Sequence, residues 1–317
     1  MNHKLIMRAM RIHAYGGPEQ LRYEEMPVPL LKEGHVLVRC NAASVNPIDT
    51  KLASGMKRPV MNNESVDLPW IPGSDFSGIV EEVSEEIKDF KKGDAVYGDS
   101  PGGGSYAPYV LAQVGQIARK PKTLNDVGSA SIPVAAQTAW QALFDHGHLQ
   151  AGQTVLIHGG SGGVGTFAVQ LAHWKKAKVL ATGSEEHMDY LRSLGADLAI
   201  DYHKDSFESL VHNVDVVVDL VGGETQERSF KVLKPQGHLV STINAPSLAL
   251  SEKHNIQALM MTMQPSETIL SRLAQLIDSG DIRTEVTKVY ALPEAPKAWS
   301  EILSHHVHGK IVLEVPL

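Results

Sequence analysis

Cysteine is almost absent from this sequence, and so are several other features that mark particular classes of protein. The 317 residues contain one cysteine, Cys40. A single cysteine excludes intramolecular disulfides and a cysteine cluster for structural zinc. Cys40 lies in an alternating, strand-like stretch, so we expect a buried structural thiol there and not a nucleophile.

Long apolar runs and long runs of one charge are also missing. No segment approaches the length that spans a bilayer, and residues 1–10 lack the apolar core of a signal peptide. The formal net charge of −7 argues against a general nucleic-acid partner or an acidic membrane surface. We therefore expect a cytoplasmic protein that binds a small-molecule substrate, with no nucleic-acid or membrane partner.

Histidine is abundant, yet its spacing does not indicate a metal site. Three of the 15 histidines are crowded together at His305, His306 and His308. They lack the i, i+4 spacing of a helical ligand pair and a nearby carboxylate or thiolate pattern. A solvated turn is the favoured interpretation, and we expect no metal.

The sequence does contain a strand, a glycine-rich turn and a helix in succession. Apolar and β-branched residues over Thr154–His158 lead into the glycines, and apolar residues at helical spacing follow over Thr166–Lys176. The glycines fit the pattern G-x-G-x-x-G of dinucleotide sites. Gly160 is expected to make the turn, Gly162 to let the backbone approach a pyrophosphate, and Gly165 to let the helix pack closely on its strand.

The start of that helix is a candidate phosphate site. Its first backbone N–H groups lack helical partners, and its positive dipole end attracts anions. A merely tight strand-to-helix turn is the alternative. The predicted cofactor contacts here are Gly160, Ser161, Gly162, Gly163, Val164 and Gly165.

Strands and helices continue to alternate after the glycine turn. The predicted strands are Lys178–Thr182, Leu198–Asp201, Val214–Leu220, His238–Thr242 and Ile256–Met263. The predicted helices between them are Glu185–Leu194, Phe207–Val211 and Thr225–Leu233. Such alternation predicts an α/β fold with a doubly wound parallel sheet, right-handed crossovers and a ligand at the carboxyl ends of the strands.

The rest of the chain differs in character. Residues 7–124 contain short strands and turns, which predict a mainly β unit. The strands expected there are His35–Ala43, Ile79–Val83, Ala95–Tyr97 and Tyr106–Val110. Towards the end, Ser266–Ser279 and Glu294–Leu303 predict helices, and Lys310–Val315 predicts a closing strand.

Three stretches of the β unit, together with the glycine turn, resemble the medium-chain dehydrogenase/reductase superfamily. They are S-V-N-P-I-D-T-K at 44–51, I-P-G-S-D-F-S-G at 71–78 and F-K-K-G-D-A-V-Y-G at 90–98. The chain is most similar to the zinc-independent quinone oxidoreductase and enone reductase branch. The resemblance implies a GroES-like catalytic domain over 1–124, a Rossmann domain over 125–264, a segment over 265–317 that returns to the first domain, and a homodimer.

The second strand of the Rossmann domain bears on the choice of dinucleotide. In NAD-binding relatives an acidic residue at its end holds the adenosine ribose, and Gly183 stands in that position here. A 2′-phosphate therefore meets no carboxylate repulsion, which favours NADPH. Ser184 can donate a hydrogen bond to that phosphate, and His187 and Tyr202 match family positions near it, with His187 where a close relative carries lysine. Glu185 and Glu186 are expected in the first helical turn, pointing outward.

The reaction site lacks the zinc ligands of related dehydrogenases. Asn46 stands where those enzymes have a cysteine, and Gly73-Ser74-Asp75 replaces their Gly-His-Glu segment. The resemblance thus implies metal-free hydride transfer from NADPH to a quinone or an α,β-unsaturated carbonyl, which depends on positioning and on polar groups near the developing oxyanion.

The candidate polar groups are Asn46, beside the nicotinamide ribose, and Lys51, a donor to the substrate oxygen that Asp49 would orient. For Asn46 the alternative is turn chemistry, and for Asp49 and Lys51 it is a solvated ion pair. Further cofactor contacts implied by the resemblance are Thr138, Val221, Thr242, Ile243 and Lys310. For Thr138 the alternative is a hydroxyl bonded to its own helix, and for Lys310 a strand-edge lysine that limits aggregation.

Two other functions remain open at this point. An enoyl-thioester reductase needs a basic surface for a carrier or coenzyme A, for which Lys57 and Arg58 form only a small cluster. A silent nucleotide-binding protein would keep the fold without turnover, although the acidic balance disfavours an RNA-associated version.

Overall fold

The structure is a computed structural model that describes residues 5–57, 64–304 and 307–316. The residues fall into two compact units. The first unit consists of Met1–Gln137, Gln264–Ser279 and Thr284–Leu317, and the second of Thr138–Met263 and Gly280–Arg283.

Fifteen strands and ten α-helices lie within the described residues. The strands are β1 (Ile6–Arg11), β2 (Arg22–Pro27), β3 (His35–Val45), β4 (Asp75–Val83), β5 (Ala95–Asp99), β6 (Tyr109–Gln113), β7 (Ile117–Arg119), β8 (Thr154–His158), β9 (Lys178–Gly183), β10 (Leu198–Asp201), β11 (Val214–Asp219), β12 (Leu233–Ser241), β13 (Gln257–Met260), β14 (Val286–Ala291) and β15 (Lys310–Glu314). The helices are α1 (Pro47–Ala53), α2 (Asp126–Ala130), α3 (Pro133–Trp140), α4 (Gly163–Trp174), α5 (Met188–Ser193), α6 (Phe207–Leu210), α7 (Gly223–Ser229), α8 (Leu248–His254), α9 (Glu267–Asp278) and α10 (Ala295–Leu303).

The first unit is built on a seven-stranded sheet in the order β14-β15-β3-β4-β5-β7, with β6 paired to β3, and a separate hairpin of β1 and β2. The last strand of the chain, β15, runs antiparallel to β3 with Ile311 opposite Val45. Late segments of the chain thus complete a sheet that early segments begin.

The boundary between the units differs from the predicted one after residue 124. Residues 125–137 belong to the first unit because their polar groups bond to its sheet. The Asp126 carboxylate accepts hydrogen bonds from Asn41 and Ser77, and the Val134 N–H donates to Asp75.

The second unit has the predicted doubly wound architecture. Its six strands are parallel in the order β10-β9-β8-β11-β12-β13, and α4 follows the first of them, β8. The strand order reverses between β8 and β11, where the carboxyl ends of an open α/β sheet form a ligand crevice. The mainly β first unit and this parallel sheet confirm the predicted fold class.

One predicted strand is displaced along the sequence. Tyr106–Val110 was the expected strand, whereas β6 covers Tyr109–Gln113. The reason is that Tyr106 uses its backbone elsewhere: its N–H donates to Pro72 O at 3.1 Å, and its carbonyl accepts from the Met10 N–H at 3.0 Å.

Burial follows the expected pattern at two further points. Cys40 is fully buried, and burial raises the pKa of its thiol, so the expectation of a structural thiol is confirmed. Helix α9 buries its apolar stripe, and Ser266 caps it by accepting a hydrogen bond from the Ile269 N–H. In the described part of the chain, no helix is both long and apolar enough to cross a membrane.

We predict that Gly78→Ala destabilises the first unit. A Cβ on Gly78 would lie 2.0 Å from the carbonyl oxygen of Arg39 in the facing strand, so the two central strands β3 and β4 would have to separate. We expect a loss of about 3 kcal/mol in the free energy of unfolding, measured with denaturant. Gly115→Ala is the control, because its Cβ would meet nothing within 4 Å and the change should stay below about 1 kcal/mol. An equal loss in the free energy of unfolding for the two variants would contradict the close approach of Gly78 to the carbonyl oxygen of Arg39.

Candidate active site and nucleotide site

Helix α1 begins at the end of β3, and local chemistry determines where. Asn46 is the residue before the helix, Pro47 fills its first position, and Asp49 lies in its first turn. The Asp49 carboxylate accepts a hydrogen bond from the Asn46 backbone N–H at 2.9 Å. The helix start is thereby satisfied by Asp49, which leaves the side chain of Asn46 for other partners.

The Asn46 side chain is held at both ends of its amide. Its Nδ2 donates to Asp75 Oδ2 at 2.9 Å, and its Oδ1 accepts from Lys310 Nζ at 2.5 Å. Lys310 Nζ lies 3.6 Å from Asp75 Oδ2 and also donates to the Val45 carbonyl at 3.4 Å. We call Asn46, Asp75 and Lys310 the polar triad. Its members lie at three separate places in the chain: Asn46 immediately before α1, Asp75 at the start of β4 and Lys310 at the start of β15.

Asp75 is the most heavily bonded member of the polar triad. Besides Asn46 it accepts from Ser44 Oγ at 3.0 Å and from the Val134 N–H at 2.8 Å. Burial raises the pKa of Asp75 and lowers that of Lys310, and each charge offsets that effect on the other. The ion pair is thus held in a nearly dry environment, where charges interact more strongly than in water.

A second chain of buried polar groups starts at Asp49. Tyr106 Oη donates to Asp49 Oδ2 at 3.2 Å and accepts from Trp299 Nε1 at 3.2 Å. Burial raises the pKa of Asp49 to about 7, and the neighbouring charge of Asp75 adds to this shift. Among the described residues, Asp49 Oδ1 is buried without a hydrogen-bond partner.

These contacts correct the expected pairing of Asp49 with Lys51. Asp49 faces the interior, where Asn46 and Tyr106 bond to it, while Lys51 is exposed on the other side of α1. Side chains two positions apart on a helix point in different directions, so Asp49 and Lys51 do not share a face of α1. The structure brings Asn46 together with Lys310, and it does not bring Lys51 to them.

The alternative interpretation of Lys310 as a strand-edge lysine is also wrong. Strand β15 lies between β14 and β3 and has no free edge at this point, and only 4% of Lys310 is exposed. The sequence analysis did not predict that Asp75 and Tyr106 belong to the site. A charged residue at the start of the apolar strand β4 was the available signal for Asp75.

In the second unit, the glycine turn packs α4 tightly against the end of β8. A Cβ on Gly165 would lie 2.1 Å from Gly159 O, so only glycine allows this approach, as predicted. The turn residue, however, is Gly159, with φ +75°, and not Gly160. A Cβ on Gly160 would meet Leu191 and Ala181 at 2.9 and 3.0 Å, so Gly160 is required for packing. The first N–H groups of a helix such as α4 have no acceptor in the preceding helical turn, and such groups can bind a phosphate.

The end of β9 carries no side chain at the position expected to bear on the choice of dinucleotide. Gly183 ends the strand, and Ser184 follows with its hydroxyl 3.3 Å from Glu186 Oε1. His187 Nε2 lies 3.6 Å from the same carboxylate. Glu185 and Glu186 are exposed, as expected, and Tyr202 is more than half exposed.

One cation near this strand end was not predicted. Lys204 follows the end of β10, whose Asp201 is in register with Gly183 of β9. Its Nζ bonds to Glu185 and lies 3.8 Å from Asp201 Oδ2. In the sequence, Lys204 could have been recognised because it lies two residues after the predicted contact Tyr202.

The loop after β11 is shaped by a buried carboxylate. Asp219 accepts hydrogen bonds from the N–H groups of Val221 and Gly222 with one oxygen, and from Gln226 and Ser241 with the other. The predicted contacts Val221 and Ile243 are left exposed at the strand ends, with Thr242 half-buried beside Ile243. Thr138, predicted on the same grounds, is buried in α3.

The histidine at the end of β8 is structural. His158 is buried, with Nε2 3.0 Å from Ser229 Oγ and Nδ1 3.2 Å from Thr182 Oγ1, so it links β8 to α7 and β9. Burial lowers its pKa to about 4, which keeps the ring neutral beneath the glycine turn at physiological pH.

Two stretches of the chain match known families. Residues 32–122 match the alcohol dehydrogenase GroES-like domain, and residues 194–313 match a family described as zinc-binding dehydrogenase. An NADPH-dependent alkenal/one oxidoreductase, chloroplastic, of Arabidopsis thaliana is 33% identical over 320 residues, which cover 97% of this chain and 79% of that relative. The chain is a medium-chain dehydrogenase/reductase. Within that superfamily it belongs to the zinc-independent quinone oxidoreductase and enone reductase branch.

Two further comparisons agree with this assignment. The chloroplastic quinone oxidoreductase QR1 of Triphysaria versicolor is 31% identical, with 98% of each chain covered. A solved quinone oxidoreductase from Coxiella burnetii superposes with a TM-score of 0.90 at 33% identity, covering 98% of this chain and 100% of the other. Membership makes the chain an oxidoreductase that uses a nicotinamide cofactor.

The polar triad does not fit the zinc ion that one family name implies. Catalytic zinc takes three protein ligands from histidine, cysteine thiolate and carboxylate. Here the corresponding positions offer the amide of Asn46 and the carboxylate of Asp75, and an ammonium already bonds to both groups. No group of three or more metal-binding side chains occurs anywhere in residues 5–57, 64–304 and 307–316. His305, His306 and Arg58 lie outside the described residues.

We predict that Asp49 makes stability fall as the pH rises. Its folded pKa of about 7 lies above the usual value of 3.8, so the folded state binds an extra proton between these values. The contribution is fully present below pH 3.8 and is lost as the pH rises through about 7. The wild type should lose about 1 kcal/mol per pH unit relative to Asp49→Asn between pH 5 and 6.5, measured by denaturant unfolding. Parallel pH profiles for the two proteins would contradict the raised pKa.

Proposed function

We propose that this oxidoreductase reduces quinones or α,β-unsaturated carbonyls with NADPH and without a metal. The observation that carries the proposal is the polar triad, in which the amide of Asn46, at the position where the resembling zinc-dependent enzymes have a cysteine, bonds to an ammonium and a carboxylate. Relatives named as alkenal/one and quinone oxidoreductases support the same class of acceptor. Conjugated acceptors are already activated, so they need no Lewis acid.

The second unit holds the cofactor in this proposal. Backbone N–H groups at the start of α4 bind the pyrophosphate, and Gly165 keeps them at the end of the sheet. The loop fixed by Asp219 presents Val221, and the predicted contacts Thr242 and Ile243 follow the end of β12. Thr138 is a further predicted contact. Bound NADPH supplies a hydride to the acceptor.

The preference for NADPH over NADH comes from the end of β9. Gly183 leaves no carboxylate to repel a 2′-phosphate, and Ser184, His187 and Tyr202 supply polar groups around that position. Lys204 adds a cation in the same region. Lys204 can replace the missing lysine at position 187 only if its Nζ leaves Glu185 for the 2′-phosphate.

The first unit stabilises the acceptor's oxygen in this proposal. As hydride reaches the conjugated carbon, negative charge develops on the carbonyl oxygen, and a fixed donor lowers the energy of that state. Asn46 has a second Nδ2 hydrogen beyond the one that bonds to Asp75. Lys51 is exposed on α1 and stays a candidate only for contacts with the outer part of the acceptor.

We expect the purified protein to oxidise NADPH with 9,10-phenanthrenequinone or a small enone, and the rate to be unchanged after treatment with a zinc chelator. The physical reason is that no zinc ion takes part in polarising the acceptor. The measurement is NADPH absorbance over a panel of acceptors, repeated with NADH. A rate that disappears with chelator would contradict the metal-free mechanism, and cofactor binding without turnover would favour the silent protein.

Gly183→Asp should reverse the cofactor preference. A carboxylate at the end of β9 repels the 2′-phosphate and can accept hydrogen bonds from a free ribose. We expect the Kd of NADPH to rise at least about tenfold, with the Kd of NADH unchanged or lower, measured by nicotinamide fluorescence. Gly183→Ala is the matched control, because it adds the same Cβ, 3.0 Å from Leu191, without the charge. A similar loss of NADPH affinity in both variants would show that the added Cβ, and not the negative charge, lowers the affinity.

Two expectations extend the proposal beyond the single chain. The resemblance implies a homodimer, which the solution mass of the purified protein tests. A cytoplasmic location stays a prediction, since the relatives include proteins named chloroplastic and mitochondrial.

A further inference from the structure

The polar triad holds the amide of Asn46 in one orientation. Its carbonyl oxygen faces the ammonium of Lys310, and its NH₂ group faces the carboxylate of Asp75. Turning the amide by 180° would bring NH₂ against ammonium and oxygen against carboxylate, so both contacts would become repulsive. Only 3% of Asn46 is exposed, so water cannot compensate for such contacts.

The same contacts leave one hydrogen of the Asn46 amide unused by the triad. An amide has two N–H donors, and Asp75 takes one of them. The ammonium at Oδ1 withdraws electron density from the amide and so opposes the electron release from the Asp75 carboxylate at the other N–H, which preserves the remaining N–H as a donor. A fixed and polarised donor is what a developing oxyanion requires.

We propose that Lys310 and Asp75 are positioning residues that act through Asn46. They orient the amide, and its free N–H stabilises the negative charge on the acceptor's oxygen. The ammonium of Lys310 thus contributes indirectly, through Asn46, the stabilisation that a metal ion would provide by direct contact. This inference rests on the proposed reduction of a conjugated acceptor. It differs from the predicted role of Lys310 as a direct cofactor contact. It also differs from a purely structural ion pair between β15 and β4. If Lys310 were only a cofactor contact or only part of a structural ion pair, its effect on kcat would not depend on Asn46.

The experiment is a double-mutant cycle on kcat with 9,10-phenanthrenequinone as acceptor. The variants are Lys310→Met, which keeps the length of the side chain, Asn46→Ala, and the two combined. Lys288→Met is the matched control, since Lys288 lies in the neighbouring strand β14 and its exposed Nζ pairs with Glu301. The Kd of NADPH is measured for each protein.

Lys310→Met should lower kcat about 10- to 100-fold, since misplacing a catalytic group costs this much. Asn46→Ala should lower kcat about 100-fold, as expected for the loss of one oxyanion donor. The double variant should be no slower than Asn46→Ala within about twofold, because Lys310 then has nothing left to position. For Lys310→Met, KM and the Kd of NADPH should stay within about twofold of wild type, and for Lys288→Met kcat should do so as well.

Three results would overturn the inference. If the two losses in kcat multiply in the double variant, Lys310 acts independently of Asn46. If Lys310→Met raises the Kd of NADPH with kcat unchanged, Lys310 is a cofactor contact. If Lys310→Arg fails to recover part of kcat while stability is restored, the charge does not matter. The absence of wild-type turnover with every acceptor would instead contradict the proposed function itself.

Removal of one charge can also unfold the protein, because it leaves the other charge buried and unpaired. Lys310→Met with Asp75→Asn removes both charges together and keeps the volume of both side chains. We expect this variant to fold and to lose kcat about as much as Lys310→Met alone. A folded double-neutral variant with wild-type kcat would overturn the inference.

Discussion

A charged amine buried in a protein needs oxygen atoms around it, and Lys310 finds them on Asn46, Val45 and Asp75. This requirement constrains much of the first unit. Strand β15 must lie beside β3, α1 must begin directly after Asn46, and β4 must begin at Asp75. Breaking one member of such a group costs about 3–5 kcal/mol because a charge is left alone. The same interaction thus connects the sheet, the helix start and the candidate site.

The regular elements could be predicted because their residues repeat with the period of the structure they form. The alternation after Thr154 predicted the doubly wound sheet, and the apolar stripe over Ser266–Ser279 predicted α9. The prediction of the strand at Tyr106 was wrong because a buried loop and a strand both favour aromatic and apolar residues. Only the hydrogen bonds of its backbone with Pro72 and Met10 distinguish them.

The two halves of the candidate site differed in how far the sequence could predict them. The glycine turn is local, so the pattern of glycines was enough, although the residue with positive φ is Gly159 and not Gly160. The polar triad is not local, since Lys310 and Asn46 are 264 positions apart. Sequence proximity suggested Lys51 as the partner of the site, whereas the pairing of β15 with β3 brings a distant lysine there.

The separation between Asn46 and Lys310 also affects how the protein is made. A ribosome releases Asn46, Asp75 and all of the second unit before it adds Lys310. The second unit, formed almost entirely by the continuous segment Thr138–Met263, can fold during synthesis, while the first waits for β15 to enter between β14 and β3. Until then the carboxylate of Asp75 has no cation beside it. Synthesis can therefore complete the second unit before the polar triad is able to form.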